Sequence, residues 1–517
     1  MEIVANDPHE FLTKCLEAHR EGDRLRKEGS VHLADEYQAT AERGYNTLLN
    51  RVPTHASVLR MLALLYQRKN FNGLCINLCI EALKNYALDK VEAERENAPE
   101  KNKERFRVIR NWTGETHAIM ATALRAEHFR EMSEDHYNQA MELAPENAEV
   151  IAAVAGLYIN DHNPQKVIDL VNRAAKIKPE IEGEESWNLA LAHLELGHWV
   201  KGFNLYHKGV QDKERLNRNY WASGQTPEWD GTPGKTVVVY GEQGIGDEIM
   251  FASCLHEFVG DCKHVIFDCH PRLEKLFARS FPAVEIRPTR KTIPDWAFGR
   301  TDIEARLAIG SLPVFYRQKD EHFVGHENYL KADPSRIAFY KERLGPGPNI
   351  GLAWQGGTKK TRFDLRSIAP HKLAPLLSQK ANFISLNYVP ETVPEAKALG
   401  LPHWEEAIQD LDEMAALICA LDLVITVNQS LVHQAGALGK KCWTLTPYRC
   451  AWRYGLEGTK MIWYPSVTQF RQRENEVWAG AIQRLSESLA SWLKGQHEND
   501  YSRPRPQLGE QELGAGD

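Results

Sequence analysis

Apolar residues recur at helical spacing through most of residues 1–220. The stretch that begins at Asn111, "NWTGETHAIMATALRAEHFREMSEDHYNQAMELAPE", and the one after it, "NAEVIAAVAGLYINDHNPQKVIDLVNRAAKIKPE", each have the pattern of two amphipathic helices. Their terminal prolines, Pro145 and Pro179, lie 34 residues apart. The pattern predicts an array of helical repeats. Its phase breaks across the charged stretch 86–110, which indicates either an insertion or an elongated helix pair.

The apolar pattern changes at Lys235 to short β-branched runs separated by helical stretches. The runs "TVVVY", "HVIFDC" and "VEIRP" predict a first α/β half, which the helix in "SRIAFYKERLGPGPN" closes. The runs "NIGLAW", "NFISLNY", "DLVITV" and "KCWTL" predict a second half. The predicted fold is a helical solenoid followed by two Rossmann-like halves with a ligand cleft between them. The predicted boundaries are a repeat array at 1–220, a first half at 221–345, a second half at 346–490 and a polar, disordered tail at 491–517.

A glycine-rich loop, "GEQGIGDEIMF", follows directly on "TVVVY". Its order, G-x-x-G-x-G without a following Gly-Lys-Ser/Thr, fits neither a P-loop nor the usual dinucleotide fingerprint. We expect the glycines to permit a tight turn and Asp247 to enter the first turn of the next helix. There Asp247 is either a plain helix N-terminal carboxylate or a general base at the mouth of the cleft, and we favour the base. Gln243, Gly244 and Gly246 are candidate substrate contacts.

Positive charge and a helix N-terminus are concentrated in the second half. The loop "WQGGTKKTRFDLRSIAP" follows the strand "NIGLA" and is either a diphosphate site or an exposed basic loop. The loop "TVNQSLVHQAGALGKK" begins a helix at the end of the strand "DLVIT", where an anion is favoured. Candidate substrate-binding residues in these two loops are Lys359, Arg362, Arg366, Asn428, Gln429, Ser430 and His433.

Composition places the chain among ordinary globular proteins, with 517 residues, 43% hydrophobic and 26% charged. A net charge of −7 argues against a dedicated nucleic-acid binder without excluding a basic groove. Nine scattered cysteines and an N-terminus without a secretory pattern predict a cytoplasmic protein with reduced thiols. We expect no membrane span, no metal site and no cofactor beyond a co-substrate.

Three motifs in order, after the repeats, carry a family resemblance. They are "EQGIGDEIMF", "GLAWQGG…LRSIAP" and "ITVNQSLVHQAGALGKKCWTLTPY…WR". The repeats resemble tetratricopeptide repeats, and the motifs resemble the glycosyltransferase family 9-like domain that includes the ADP-heptose:lipopolysaccharide heptosyltransferases. The layout is similar, more distantly, to the O-linked N-acetylglucosamine transferases. The resemblance covers roughly residues 110–485.

The resemblance implies a GT-B fold and a metal-independent, inverting transfer. It places Asp247 on the family's catalytic Asp, Arg366 near the basic residue at the donor phosphates, and His433 on the His of the donor loop. Where the family has Asp-Thr, this chain has Asn428-Gln429, so the carboxylate is replaced by an amide. The donor therefore differs from the usual one, or donor binding has decayed.

We expect an inverting glycosyltransferase that moves a hexosyl, heptosyl or N-acetylhexosaminyl group from a nucleotide sugar to an acceptor hydroxyl. The acceptor is a protein, a glycan or another hydroxylated molecule, and the repeats recruit it or a protein partner. The alternative is a non-catalytic repeat scaffold with a degenerate transferase domain, since fold analogy alone does not establish activity. A nucleic-acid-modifying transferase stays open, although the net charge gives it no support.

Overall fold

The protein is described from a computed structural model that covers residues 3, 7–27, 30–95, 99–159, 161–211, 226–289, 294–326, 328–357 and 363–495. Contacts within the chain divide it into two compact units. One is Met1–Arg218 together with Pro313–Lys319, and the other is Asn219–Leu312 together with Asp320–Asp517.

The helical unit consists of pairs of consecutive helices joined by short turns. Its helices are α1 (Pro8–Lys27), α2 (Val31–Arg51), α3 (Ala56–Arg68), α4 (Asn72–Arg95), α5 (Pro99–Ala126), α6 (Arg130–Leu143), α7 (Ala148–Tyr158), α8 (Pro164–Ile177), α9 (Glu180–Glu184), α10 (Ser186–Glu195) and α11 (Trp199–Gln211). Each of α1/α2, α3/α4, α5/α6, α7/α8 and α10/α11 packs as a pair. The predicted repeat array is confirmed. The break in phase falls on two long neighbouring helices, α4 of 24 residues and α5 of 28 residues, which pack on each other as well as on α3 and α6.

The first α/β half is built on a four-stranded parallel sheet of order β3-β2-β1-β4. Its elements are β1 (Thr236–Tyr240), α12 (Ile245–Phe251), α13 (Leu255–Asp261), β2 (His264–Asp268), α14 (Glu274–Ser280), β3 (Val284–Ile286) and β4 (Ala305–Ala308). All five residues of β1 are buried, because β1 lies inside the sheet with layers on both faces. Two helices follow, α15 (Pro313–Tyr316), which packs on α11 in the helical unit, and α16 (Pro334–Leu344).

The second half has a six-stranded sheet of order β6-β5-β7-β8-β10-β9, in which the β10–β9 pair is antiparallel and the other pairs are parallel. Its elements are β5 (Asn349–Leu352), α17 (Ala374–Leu377), β6 (Asn382–Ser385), α18 (Thr392–Ala398), α19 (Glu405–Gln409), α20 (Leu411–Ala420), β7 (Leu423–Val427), α21 (Ser430–Ala437), β8 (Cys442–Thr446), β9 (Lys460–Met461), β10 (Tyr464–Arg471) and α22 (Trp478–Gly495). Two facing α/β halves of this kind form a GT-B fold, as predicted.

Two boundaries differ from the sequence prediction. The helix α16, which the sequence assigned to the first half, packs on α20 of the second half. Arg336 Nε donates to both carboxylate oxygens of Glu413 at 2.9 Å, and Tyr340 stacks on Trp404 with ring centres 5.8 Å apart. At the other end α22 continues to Gly495, beyond residue 490, because Trp478, Leu485 and other residues on its inner face belong to the core of the second half. The remainder of the predicted tail lies outside the described residues.

Candidate functional site

A cavity of about 460 Å³ lies between the two sheets of the α/β unit. The loops that line it all follow the carboxyl ends of strands, where ligands bind in folds of this type. The first half contributes Gly244 to Asp247 after β1, and Arg272 after β2. The second half contributes Gly357 and Arg366 after β5, Tyr388 after β6, Gln429 to Leu431 with His433 and Gln434 after β7, and Arg453 with Tyr454 after β8.

Asp247 faces the cavity from the first turn of α12. One carboxylate oxygen, Oδ2, accepts the backbone N–H of Gly244 at 3.3 Å, as expected for an acidic residue that completes a helix N-terminus. The other, Oδ1, accepts a hydrogen bond from Arg453 Nη2 of the second half at 2.5 Å. The two interpretations weighed from the sequence therefore do not exclude each other. Asp247 caps its helix and also presents an oxygen to the cavity.

Glu248, the second residue of the acidic pair, has a different role. Its side chain is fully buried, and Oε2 accepts the backbone N–H of His270 at 2.8 Å. A Cβ at Gly241 would lie 1.9 Å from Glu248 Oε1. A glycine at position 241 therefore leaves the space that the Glu248 carboxylate occupies. From there the carboxylate accepts its hydrogen bond from the chain after β2. Asp247 therefore lines the cavity, whereas Glu248 stabilises the loop that carries Asp247.

Gly246 is required by a close approach of two helices. A Cβ there would lie 3.1 Å from His433 Cδ2 and 3.3 Å from Ser430 Cα, so α12 and α21 meet at this point. Gly241, Gly244 and Gly246 all have backbone angles open to other residues, since none lies at positive φ. The predicted reason for the glycines, freedom to turn, is therefore wrong. At Gly241 and Gly246 the reason for a glycine is the close approach of neighbouring atoms, whereas a Cβ at Gly244 would meet only Asp247 Oδ2, at 3.3 Å.

Arg366 points into the cavity from the loop after β5. Its Nη1 donates to the backbone carbonyl of Asn428 at 3.3 Å, and Gly357, at φ +81°, leaves the space that its guanidinium fills. Burial of the Arg366 guanidinium is the largest influence on its pKa, which it lowers below the ordinary arginine value. A half-buried guanidinium held by a main-chain carbonyl is suited to bind an anion, because forming a charge-assisted pair then offsets its desolvation.

His433 on α21 lines the cavity and is buried. Its Nδ1 lies 3.3 Å from Tyr464 Oη, which lies 3.4 Å from Tyr329 Oη, and Tyr329 Oη donates to the Ile249 carbonyl at 2.6 Å. This chain of hydrogen bonds connects α21 to α12, two residues beyond Asp247. Burial lowers the pKa of His433 well below its ordinary value, so the imidazole is neutral at pH 7. A neutral imidazole offers the cavity a dipole and not a positive charge.

The other predicted residues divide into three groups. Gln429 and Ser430 line the cavity at the N-terminus of α21, and Gln429 Nε2 is held by Thr426 Oγ1 at 2.9 Å. Asn428 and Gln243 are not among the lining residues. Lys359 and Arg362 lie outside the described residues.

The Asn428 side chain turns into the sheet. Its Oδ1 accepts from the hydroxyl groups of Thr444 at 2.9 Å and Thr446 at 3.1 Å on β8. Only its backbone carbonyl faces the site, through Arg366. An amide oxygen accepts these two hydrogen bonds as a carboxylate oxygen would, whereas the amide nitrogen, Nδ2, is buried without a hydrogen-bond partner among the described residues.

Sequence reasoning missed Arg272 and Arg453. Both lie outside the loops that the sequence analysis singled out. Arg453 is 206 residues away in sequence from Asp247, with which it forms a hydrogen bond. Arg453 belongs to the dipeptide "WR" at the end of the third motif, and this position in a motif was the sequence signal that could have identified it. Among the described residues no cluster of three His, Cys, Asp or Glu could hold a metal ion, and no helix is both long and apolar enough to cross a bilayer.

Comparison with known proteins gives one curated relative and several similar structures. No protein-family model matches the chain. Protein FlbA of Caulobacter vibrioides is 34% identical over 290 residues, which are 50% of this chain and 48% of that protein. The chain therefore spans about half the length of this relative.

Two solved structures belong to the kinds of protein that the motifs resemble. The ADP-heptose lipopolysaccharide heptosyltransferase II of E. coli is 12% identical and covers 51% of this chain and 100% of its own, with a TM-score of 0.36. An O-GlcNAc transferase of Thermobaculum terrenum is 13% identical and covers 95% and 94%, with a TM-score of 0.29.

Proposed function

We propose that the chain is an inverting, metal-independent glycosyltransferase that uses a nucleotide sugar as donor and a hydroxyl group as acceptor. The observation that carries the proposal is a carboxylate of the first half that faces positive groups of the second across one cavity. Asp247 lines the cavity from the first half, together with the cation Arg272, while Arg366, Arg453 and the N-terminus of α21 line it from the second. The volume of about 460 Å³ is in the range of small-molecule sites.

The proposed transfer assigns each group one part of a balanced displacement. The acceptor oxygen attacks the anomeric carbon and forms the new C–O bond, while its proton passes to Asp247. The bond between the anomeric carbon and the phosphate oxygen breaks, and its electron pair leaves with the nucleoside diphosphate. Attack opposite the leaving group inverts the anomeric configuration. Arg366, Arg453 and the backbone N–H groups at the start of α21 stabilise the departing charge without a metal ion in the scheme.

Arg366→Ala tests the leaving-group site. We expect the affinity for the free nucleoside diphosphate, measured by calorimetry with UDP, GDP and ADP, to fall by about 1.5–3 kcal/mol, the value of a charge-assisted hydrogen bond. Arg343→Ala is the control, because Arg343 on α16 pairs with Glu406 and is not among the lining residues. Equal affinity in Arg366→Ala and the wild type would remove Arg366 from the site.

We propose that the helical unit recruits the acceptor or a protein partner. A cavity of about 1220 Å³ runs along α5, the turn between α6 and α7, and the end of α8. Trp112 and Ile177 give it apolar surface, and Arg107 and Lys176 are exposed cations in its lining. Its ionisable lining residues are five Lys or Arg and three Glu, in a chain whose net charge is −7. Such a surface fits a segment that carries acidic side chains.

A further inference from the structure

The ion pair between Arg453 and Asp247 joins the two halves of the α/β unit across the cavity. Each side chain is less than one-fifth exposed, so the pair is shielded from water more than an ordinary surface ion pair. It occupies Asp247 Oδ1, while Oδ2 accepts the Gly244 N–H. Both oxygens of the proposed base therefore accept hydrogen bonds from the protein itself.

Arg453 differs from the other two arginines of the cavity. Arg366 and Arg272 donate to the backbone carbonyls of Asn428 and Gln409, each at 3.3 Å. Arg453 donates instead to a carboxylate, that of Asp247. An entering anion therefore competes with Asp247 for Arg453.

The backbone of Arg453 is anchored, and its side chain reaches across the cavity to Asp247. Arg453 lies in the short 3-10 turn Trp452–Tyr454, and both flanking rings are buried. The Tyr454 carbonyl accepts from Gln469 Nε2 at 3.0 Å, and Trp452 packs edge-on against Trp463 with ring centres 6.2 Å apart. The side chain lines the cavity from this anchored turn, and a change of rotamer would move its guanidinium without moving the backbone.

We propose that Arg453 is a donor-operated switch: it holds Asp247 in the empty cleft and turns to the diphosphate of the bound donor, which releases Asp247 to accept the acceptor proton. The proposal rests on the proposed function. It implies an order of events in which Asp247 becomes available only after the donor has bound. It also explains why the proposed base, Asp247, forms an ion pair with Arg453. While this pair is intact, Asp247 does not accept a proton, and the pair opens only when a leaving group is bound.

A double-mutant cycle with inorganic pyrophosphate as the probe tests the switch in the full-length chain. We compare Kd by calorimetry for the wild type, Asp247→Asn, Arg453→Gln and the double variant, with thermal melting as the check on folding. Asp247→Asn frees Arg453 and should tighten pyrophosphate binding at least 5-fold. Arg453→Gln should weaken it at least 5-fold, and in that background Asp247→Asn should change Kd less than 2-fold. Arg343→Gln removes the same charge away from the cavity and should leave Kd within 2-fold of the wild type.

Two results would overturn the switch. If Asp247→Asn tightens binding equally with and without Arg453, Asp247 acts by simple repulsion of the anion. If Arg453→Gln binds pyrophosphate as the wild type does, Arg453 only positions Asp247. If the wild type binds neither pyrophosphate nor any nucleoside diphosphate, the proposed function itself fails, which separates the two failures. Arg453→Met takes the place of Arg453→Gln in the cycle if the latter melts below the assay temperature.

Discussion

At the scale of single residues, the glycines and acids of the loop after β1 are explained by their neighbours. Gly241 makes room for the buried Glu248 carboxylate, and Gly246 lets α12 approach α21. Asp247 remains at the cavity with one oxygen on its own helix and the other on Arg453. The consequence is that a one-carbon change at Gly246 should disturb the position of Asp247, the next residue.

Gly246→Ala should lower the free energy of unfolding by about 1–3 kcal/mol, the usual cost of overpacking, because the added methyl group meets His433 and the Ser430 backbone. The measurement is urea unfolding followed by fluorescence. Gly260→Ala is the matched control: a Cβ at Gly260, within α13, meets nothing within 4 Å, so stability should hold or rise by up to about 1 kcal/mol. Equal effects of the two substitutions would show that α12 and α21 do not meet closely at Gly246.

The same residues show how far sequence reasoning extends. Asp247, Arg366, Ser430 and His433 line one cavity, because parallel strands bring their following loops to a common edge, and their roles stay predictions. Arg453 could not be paired with Asp247, since that contact depends on how two separately coded halves face each other. The direction of the Asn428 side chain, into the sheet, was equally beyond a sequence pattern.

At the scale of elements, the buried strand runs and helix pairs were predictable, and the missed strands have physical reasons. β4, at the edge of the first sheet, contains Arg306, which is buried although a buried strand position normally holds an apolar residue. Its Nε donates to the Thr226 carbonyl at 2.8 Å, and Nη1 lies 3.3 Å from Tyr240 Oη. A charge inside a strand breaks the apolar pattern by which strands are recognised, and only tertiary partners make it tolerable.

Helices of the repeat array bury histidines in neutral form, which makes the unit sensitive to acid. Burial lowers the pKa of His19 to about 3 and that of His117 and His193 to about 4. Because these values lie below that of an unfolded histidine, near 6.5, the unfolded chain takes up protons first as pH falls. The stability these neutral histidines confer is therefore complete above about pH 6.5 and is lost progressively towards pH 3–4.

His19→Gln isolates one of these contributions. His19 Nδ1 lies 3.1 Å from the hydroxyl of Tyr45, and a glutamine keeps a polar group there without a proton to gain. We expect the loss of unfolding free energy between pH 6.5 and pH 4.5 to be smaller by about 1–2 kcal/mol in His19→Gln than in the wild type. Urea unfolding at both pH values, followed by helical circular dichroism, measures it. An identical pH dependence in the two proteins would exclude His19 as a source of acid sensitivity.

At the scale of the whole molecule, the proposed division of labour assigns the donor to the α/β unit and the acceptor to the helical unit. The segment Pro313–Lys319, inside the α/β sequence, belongs to the helical unit. A truncation before the first strand would therefore remove most of one unit and leave this segment without its packing partners. Point substitutions in the full chain separate the two activities more cleanly.

The double charge reversal Arg107→Glu with Lys176→Glu tests acceptor recruitment. If the cavity along α5 and α8 holds an acidic segment of the acceptor, transfer should fall at least 10-fold while hydrolysis of the donor stays within 2-fold, because remote binding energy positions only the acceptor. Arg51→Glu with Lys84→Glu adds the same charge outside the residues that line this cavity and is the control. A parallel loss of donor hydrolysis would contradict the assignment.

The most direct test of the account is whether the full-length chain releases free nucleoside diphosphate from a nucleotide sugar, and whether Asp247 is needed for it. A panel of UDP-, GDP- and ADP-linked sugars is incubated with the wild type and with Asp247→Asn, and the released diphosphate is quantified. The account predicts release from at least one donor, with turnover lower by about 10²–10⁴ in Asp247→Asn and donor affinity at least retained. No release from any donor, or equal turnover in the two proteins, would contradict it and favour the non-catalytic scaffold.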